Sequence, residues 1–374
     1  MSIVFWSSLG LLIYAFVFFP ALLWLLARLS GRQHRRDEEH LPRVSMILSV
    51  YNEEAVIGDK IKNFLALDYP EGSMELVVVS DGCSDRTEDL VRESRSARVH
   101  LFVQPKRGGK TLALNRGVAE ARGEILVFTD ANSMFESDAV RRLVSPFISS
   151  EVGLVSGRSQ YLDSRGRTEN TGGAYRRYED FIKEMESATV SIVGADGAIY
   201  AMRRELYEPL PPQFINDLLH PMQVVRKGLR AVQESGARCS EVLDSGTGGE
   251  LRRQTRIMAQ SWLIVLTQAA GILAAGRVGY FWALMSHKML RWLTLPILGL
   301  LLASNVALCG RGLIYQSVLL LQAAFYAMAL AGWRKEEGLL RIPSMFLMLH
   351  LAALTGLVRL ATGQAYATWD PRRN

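Results

Sequence analysis

Residues 3–27 form an apolar run without one charged side chain. About 20 such residues in a helix cross the hydrocarbon core of a bilayer, so the run predicts a membrane anchor. No Lys or Arg precedes it, and basic residues follow it, which argues against a cleaved signal peptide. Three further runs, near 291–309, 312–332 and 343–362, predict more spans. A stretch at 257–275 carries Gln260, Ser261 and Gln268 among its apolar residues. It predicts either a fourth crossing or an amphipathic helix on the membrane surface. With three C-terminal spans the tail Trp369–Asn374 falls outside; with four it falls inside, which Pro371-Arg372-Arg373 favours.

Between these runs the period changes. Short apolar stretches at 44–50, 75–80, 99–103 and 124–129 predict buried strands. Helical spacing at 54–67 (Val56, Ile57, Ile61, Phe64, Leu65) and over 109–121 predicts helices between them. Ser84, Asp85, Thr87 and Glu88 read as another helix start, and Thr247 with Glu250 as a capping box. The alternation predicts an α/β fold: a mostly parallel sheet with helices on both faces. Such sheets bind ligands beyond the carboxyl ends of their strands. Polar clusters stand at those ends: Tyr51-Asn52-Glu53, Ser80-Asp81-Gly82 and Thr129-Asp130-Ala131-Asn132.

The net charge of +6 is assigned to a membrane surface and not to nucleic acid, because the basic residues flank the apolar runs. Arg28, Arg32, Arg35 and Arg36 follow the first run; Lys288 and Arg291, then Arg334 and Lys335, border the later ones. The positive-inside rule then predicts a multi-pass protein of the plasma or inner membrane with the middle domain in the cytoplasm. Cys83, Cys239 and Cys309 are scattered, which fits a reducing compartment.

Two phosphate-binding motifs fail. No GxGxxG follows the first strand, and Gly109-Lys110-Thr111 lacks the leading glycine of a Walker loop, where Gln104 stands. Lys106 and Arg107 read as a solvated turn, whereas Lys110 opens a helix beside the crevice. Asp196 lies in the turn Gly194-Ala195-Asp196-Gly197, either against an acceptor or simply closing the turn. Asp217 alone would read as a helix cap, with Pro221 interrupting that helix early, and His220 as structural.

Residues 44–256 resemble the family 2 glycosyltransferases of GT-A fold, which include the membrane-embedded cellulose, hyaluronan and poly-N-acetylglucosamine synthases. The strings that carry the resemblance are SVYNEE (49–54), VVVSDGCSDRT (77–87), KRGGKTLALNRG (106–117), VFTDANSMFESDA (127–139), GADGAIYAMRREL (194–206), FINDLLHPMQVVRKG (214–228) and ELRRQTRI (250–257). The resemblance implies an inverting transfer from a nucleotide-diphosphate sugar, a UDP-sugar, to a glycan or lipid-linked acceptor in polysaccharide or envelope synthesis. Tyr51, Glu53, Asp81, Lys110, Asp130, Arg253 and Arg256 would bind the donor, with Asp81 facing the base. Asp130 and Asn132 would hold a divalent cation, Mg2+ or Mn2+; Asp217 would be the catalytic base; Asp196 would lie on the acceptor side. Membrane lipids and subunits of an export system are implied partners.

The chain departs from the family pattern twice. Asn132 replaces the second acid of the DxD motif, and Arg253-Gln254-Thr255-Arg256-Ile257 lacks the Gln and Trp of QxxRW. Single-sugar transfer therefore stands beside processive synthesis, and a donor-binding protein with reduced catalysis stays open. The implied organisation is an anchor (1–28), a basic linker (29–42), a cytoplasmic GT-A domain (43–256), an interfacial or membrane helix (257–286) and C-terminal membrane helices with a tail (287–374).

Overall fold

The computed structural model describes residues 1–32, 34–162, 173–242, 247–333, 335 and 338–363. The side chains of Thr247 and Glu250, together with Arg334 and the tail Trp369–Asn374, lie outside what is described. The chain opens with helix α1 (Ser2–Ile13), a π-helical turn (Tyr14–Phe18) and α2 (Phe19–Ser30). The domain then runs β1 (Val44–Val50), α3 (Ile57–Leu65), β2 (Met74–Ser80), α4 (Thr87–Glu93), β3 (Val99–Val103), α5 (Lys110–Glu120) and β4 (Ile125–Thr129). It continues with β5 (Ser133–Phe135), α6 (Ala139–Val144), β6 (Val152–Leu162), α7 (Gly173–Thr189), β7 (Ile199–Arg203), α8 (Asn216–Arg226) and β8 (Arg230–Val242). Last come α9 (Thr247–Ala274), α10 (Val278–Leu284), α11 (Leu290–Trp292), α12 (Thr294–Leu308), α13 (Leu313–Gly332) and α14 (Arg341–Ala361).

The strands form one sheet in the order β3-β2-β1-β4-β7-β6-β8-β5. Its first half is wholly parallel, because each strand is reached through a crossover helix. The second half is mixed: β7 runs antiparallel to β4 and to β6, β8 runs parallel to β6, and β5 pairs antiparallel with β8. The expected mostly parallel sheet is found, with antiparallel ladders at β7 and β5 making its second half mixed. Two apolar layers cover the sheet. One joins Ile47, Val77 and Val79 to α5, α8 and α9; the other joins Met46, Leu48 and Val78 to α3 and α6.

The helix predicted over 54–67 is shorter, Ile57–Leu65. Asn52 takes a left-handed conformation (φ 53°), and the Glu53 N–H donates to Thr87 Oγ1 (2.8 Å), so the chain is still turning there. Pro221 does not stop α8, which runs on to Arg226. A proline removes the N–H that would bond to the carbonyl four residues back. That carbonyl belongs to Asp217, and it accepts the Ala195 N–H instead (2.8 Å).

Among the described residues five helical segments are long and apolar enough to cross a membrane: Ser2–Leu29, Leu251–Ala274, Thr294–Arg311, Leu313–Gly332 and Arg341–Ala361. They do not pack alike. Helices α12 and α13 form an antiparallel hairpin in which Gln322 Nε2 donates to the Leu298 carbonyl (2.9 Å), and Phe5 of α1 packs with Leu301 and Leu308 of α12. Helix α9 keeps to the domain over its second half. Its residues Ile264, Val265 and Ile272 are buried in the layer that holds Leu218 and Val225. Just beyond it, Tyr280 Oη donates to the Val193 carbonyl (3.3 Å), so the chain has not left the domain. Helix α14 runs antiparallel along α9: Trp262 Nε1 donates to the Ala353 carbonyl (3.0 Å), and Gly356 lies against Met258 and Ala259.

Candidate active site

The carboxyl ends of β1, β2 and β4 meet at one rim. Asn52 Oδ1 accepts the Ser84 N–H (2.8 Å) and ties the first two ends together. Tyr51 lies under the Arg107 guanidinium, 3.8 Å from the ring centroid. Arg107 is exposed in its turn, as expected from sequence, and in addition stacks on the tyrosine. Asp81 is buried, and its two carboxylate oxygens accept the N–H groups of Gly108 (2.7 Å) and Gly109 (2.8 Å). Its first task is to hold the basic loop closed over the rim. Gly109 has φ 91°, a backbone state that L side chains avoid, so the loop can enter α5 there only with glycine. Glu53 is buried beside this loop system and begins the turn into α3.

Lys110, the first residue of α5, reaches across to Asp130 and pairs with its carboxylate. Asp130 is half-exposed at the end of β4, followed by Asn132. Below them Lys60 is fully buried, donating to Thr129 Oγ1 (2.9 Å) and to the Ser133 carbonyl. Burial lowers its pKa to about 8, against the pull of Cys239, Asp130 and Glu241.

From the mixed half of the sheet comes Asp217, in the first turn of α8. Burial raises its pKa; Lys110 and Lys183 oppose the shift, and Asp130 and Asp196 add to it. Asp130, Asp196 and Lys110 are thus within electrostatic reach of one carboxylate. Asp217 Oδ1 is buried with no hydrogen-bond partner among the described residues. A Cβ at Gly197 would come within 3.1 Å of Oδ2, so the glycine lets the turn approach this side chain closely. Asp196 is committed to that turn. Its Oδ2 accepts the Ser159 N–H (3.0 Å) and hydroxyl (2.6 Å), and its Oδ1 accepts the Ala198 N–H (3.2 Å). The turn-closing alternative is the one its hydrogen bonds fill.

Arg253 and Arg256 lie near the start of α9, and Arg253 is within electrostatic reach of the Tyr161 hydroxyl, as Asp196 and Arg176 are. His220 is buried among Phe128, Tyr200 and Tyr207, with Nδ1 2.9 Å from Tyr200 Oη. Its ring is packed in the core, and its Nε2 has no hydrogen-bond partner among the described residues. Sequence reasoning missed Glu241. Its Oε1 accepts the Ser133 hydroxyl (2.5 Å), and burial and the Asp130 charge raise its pKa to about 7. It belongs to no motif. Lys60 did leave a signal: it shares the helical face of Ile57, Ile61 and Phe64, where a charge has no place without a partner.

Residues 45–210 match the family described as glycosyl transferase family 2. Over these residues the middle domain resembles the family 2 glycosyltransferases. It is 35% identical over 136 residues to the probable glycosyltransferase YdaM of Bacillus subtilis, covering 35% of this chain and 32% of that one. It is 33% identical over 129 residues to beta-monoglucosyldiacylglycerol synthase of Trichormus variabilis, covering 33% and 28%. The chain thus matches about a third of the length of these curated relatives. Among solved structures, a mannosyltransferase from Pyrobaculum calidifontis in complex with GDP-Man and Mn2+ superposes with a TM-score of 0.72 at 22% identity, over 96% of this chain and 99% of that one. The fold is the GT-A type implied by the sequence strings, and the likeness extends through the flanking helices.

A divalent cation suits the residues present. Asp130 and Asn132 offer hard oxygen donors at an exposed rim, and Asp130 already holds a positive group, the Lys110 ammonium. Among the described residues no cluster of three or more His, Cys, Asp or Glu side chains forms a metal cage. Mg2+-type sites take one or two protein oxygens and complete their shell with phosphate and water.

Proposed function

We propose that this protein transfers a sugar, with inversion, from a nucleotide-diphosphate sugar to a glycan or lipid-linked acceptor held at the membrane. The observation that carries this reading is Asp217. A buried carboxylate with an unpartnered oxygen lies within electrostatic reach of Asp130 and Lys110, which come from the other half of the sheet.

The reaction needs the acceptor hydroxyl to lose its proton as it attacks the anomeric carbon. Asp217 Oδ1 accepts that proton, a role worth typically ~10²–10⁴-fold. Burial raises its pKa, which makes it a stronger base than an exposed carboxylate. Asp130 and Asn132 would hold the cation, which when bound would offset the charge growing on the leaving diphosphate. Lys110, paired with Asp130, stands where its ammonium can meet the phosphates. Tyr51, Arg107 and the Asp81-held loop cover the nucleoside, and Arg253 and Arg256 face the diphosphate from α9.

The packing supports a topology in which α1–α2, α12 and α13 cross the bilayer, while α9 and α14 lie along its cytoplasmic face. Both neighbours of α9 in the chain, β8 and α10, belong to the domain's side, and α14 follows α9 back towards its start. This brings the start of α9, and with it Arg253, to the membrane-facing side of the crevice, where a lipid-held acceptor enters.

The test is turnover of a panel of UDP- and GDP-sugars by membranes containing the protein, with product anomers assigned by NMR. The reading expects one donor class to be consumed and the anomeric configuration to invert. Consumption of none, or a retained configuration, contradicts it.

A further inference from the structure

Helix α2 is apolar on both sides. Phe19 and Leu23 point inward and are fully buried in the domain's core. Phe18, Leu22, Leu25 and Leu29 make an outward stripe and are 63%, 41%, 46% and 75% exposed. Their spacing of four, three and four residues places them on one helical face. Leaving a large aliphatic or aromatic side chain in water forgoes roughly 1.5–3 kcal/mol. The stripe is continuous with α1, so the medium that covers α1 covers it too. A π-helical turn precedes α2 and Pro20 stands in its first turn, both features at which helices bend, so the inner end of the anchor can tilt against the domain.

Beside the stripe, α2 and α7 enclose a groove of about 320 Å³ whose apolar wall includes Trp24, Phe181 and Met185. Arg28 and Arg32 stand on its rim, and Arg28 lies over the Trp24 ring at 5.3 Å. Arg32 also borders a second hollow of about 640 Å³ that contains Arg36 and Arg142. Those two arginines are paired, with Glu234 (2.7 Å) and Asp138 (2.6 Å). Arg32 has no ion-pair partner among the described residues. Among its charged neighbours is Arg230, whose pKa burial and the Arg32 charge lower while Glu151 raises it.

We infer that the α2–α7 groove binds one anionic phospholipid of the cytoplasm-facing leaflet, its phosphate on Arg28 and Arg32 and an acyl chain against Trp24, Phe181 and Met185. An apolar wall joined to a basic rim fits an amphiphilic anion; inorganic phosphate would satisfy the rim and leave the wall empty. The site docks the domain on the bilayer at a point set by α2, on an element the transfer chemistry does not use. The inference rests on reading α1–α2 as a membrane helix.

The test uses the full chain in phosphatidylcholine nanodiscs doped with phosphatidylglycerol, with retained lipid counted by native mass spectrometry. The wild type keeps one phosphatidylglycerol in preference to phosphatidylcholine. Arg32→Ala lowers that retention about fivefold, the effect of one basic residue at an anionic surface. Phe181→Ser lowers it with the charges intact, and both variants keep the wild-type melting temperature. Millimolar inorganic phosphate does not displace the lipid. Equal retention of the two lipids, unchanged retention in Arg32→Ala, displacement by phosphate, or a dimer that covers the stripe would overturn the site. Release of the chain from membranes by alkaline carbonate would overturn the membrane reading and the site together; retention in membranes without bound lipid would overturn the site alone.

Discussion

The two halves of the sheet solve different problems. In the parallel half, β1, β2 and β4 end at one rim, and the residues proposed to bind the donor follow directly from those ends: Tyr51, Glu53, Asp81 and Asp130. Chain order and site order nearly coincide there. In the mixed half, Asp217 reaches the same crevice from a helix, held by a turn that is itself pinned to β6 through Asp196 and Ser159. Its position depends on the Ala195 N–H bond to the Asp217 carbonyl, which Pro221 leaves vacant. A donor platform can be assembled from local strand ends, whereas a base that must meet a mobile acceptor is set by contacts between distant segments.

This contrast can be broken at several points. The largest effect is expected at the donor platform. Chelation of divalent cations abolishes turnover, and Asp130→Asn weakens donor binding as well as rate, measured by equilibrium binding beside initial rates. Full activity in chelator would remove Asp130 as a cation ligand. In the other half, Pro221→Ala restores an N–H that competes for the Asp217 carbonyl. It lowers kcat about ten- to a hundredfold, the usual consequence of a misplaced catalytic group, with donor affinity unchanged. Thermal stability does not fall, because alanine suits a helix interior better than proline by about 3 kcal/mol. A lower melting temperature with unchanged kcat would mean that Pro221 only shapes the helix.

A smaller effect concerns Glu241, whose carboxyl is raised from an ordinary 4.5 to about 7 in the fold. The unfolded chain ionises first as pH rises, so the fold loses stability between about 4.5 and 7 and does not recover it above. Glu241→Gln removes that penalty. The variant is more stable than wild type at pH 8 by up to about 3 kcal/mol and equal to it at pH 4, read from denaturation at both values. His220 has the opposite sign. Its pKa is lowered to about 3 by burial, so its contribution is intact above about 6.5 and declines as pH falls towards 3. Unfolding should therefore become easier below pH 6, and His220→Gln should flatten that part of the profile.

How much was legible follows the same divide. The strands at 44–50 and 99–103 were read to the residue, because a short apolar run with turn residues at both ends has one solution in a parallel sheet. The polar clusters at the strand ends were legible for the same reason. Helix α8 was misjudged at Pro221, since the group that takes the freed carbonyl lies 22 residues earlier, at Ala195. Arg107 is the exposed turn residue the sequence suggests, but its stacking on Tyr51 was not legible, because Tyr51 belongs to another strand end. Glu241 could not be found at all: its significance comes from Asp130 and Ser133, which the fold alone brings beside it. Lys60 could have been found, as a charge on the apolar face of α3.

The central claim is that carboxylates from both halves act on one bound donor. The direct measurement is donor affinity and turnover in Asp217→Asn, side by side with wild type. The account predicts donor affinity within about twofold and turnover reduced at least ~10²-fold. Turnover that survives the substitution, or donor binding lost together with it, would contradict the account.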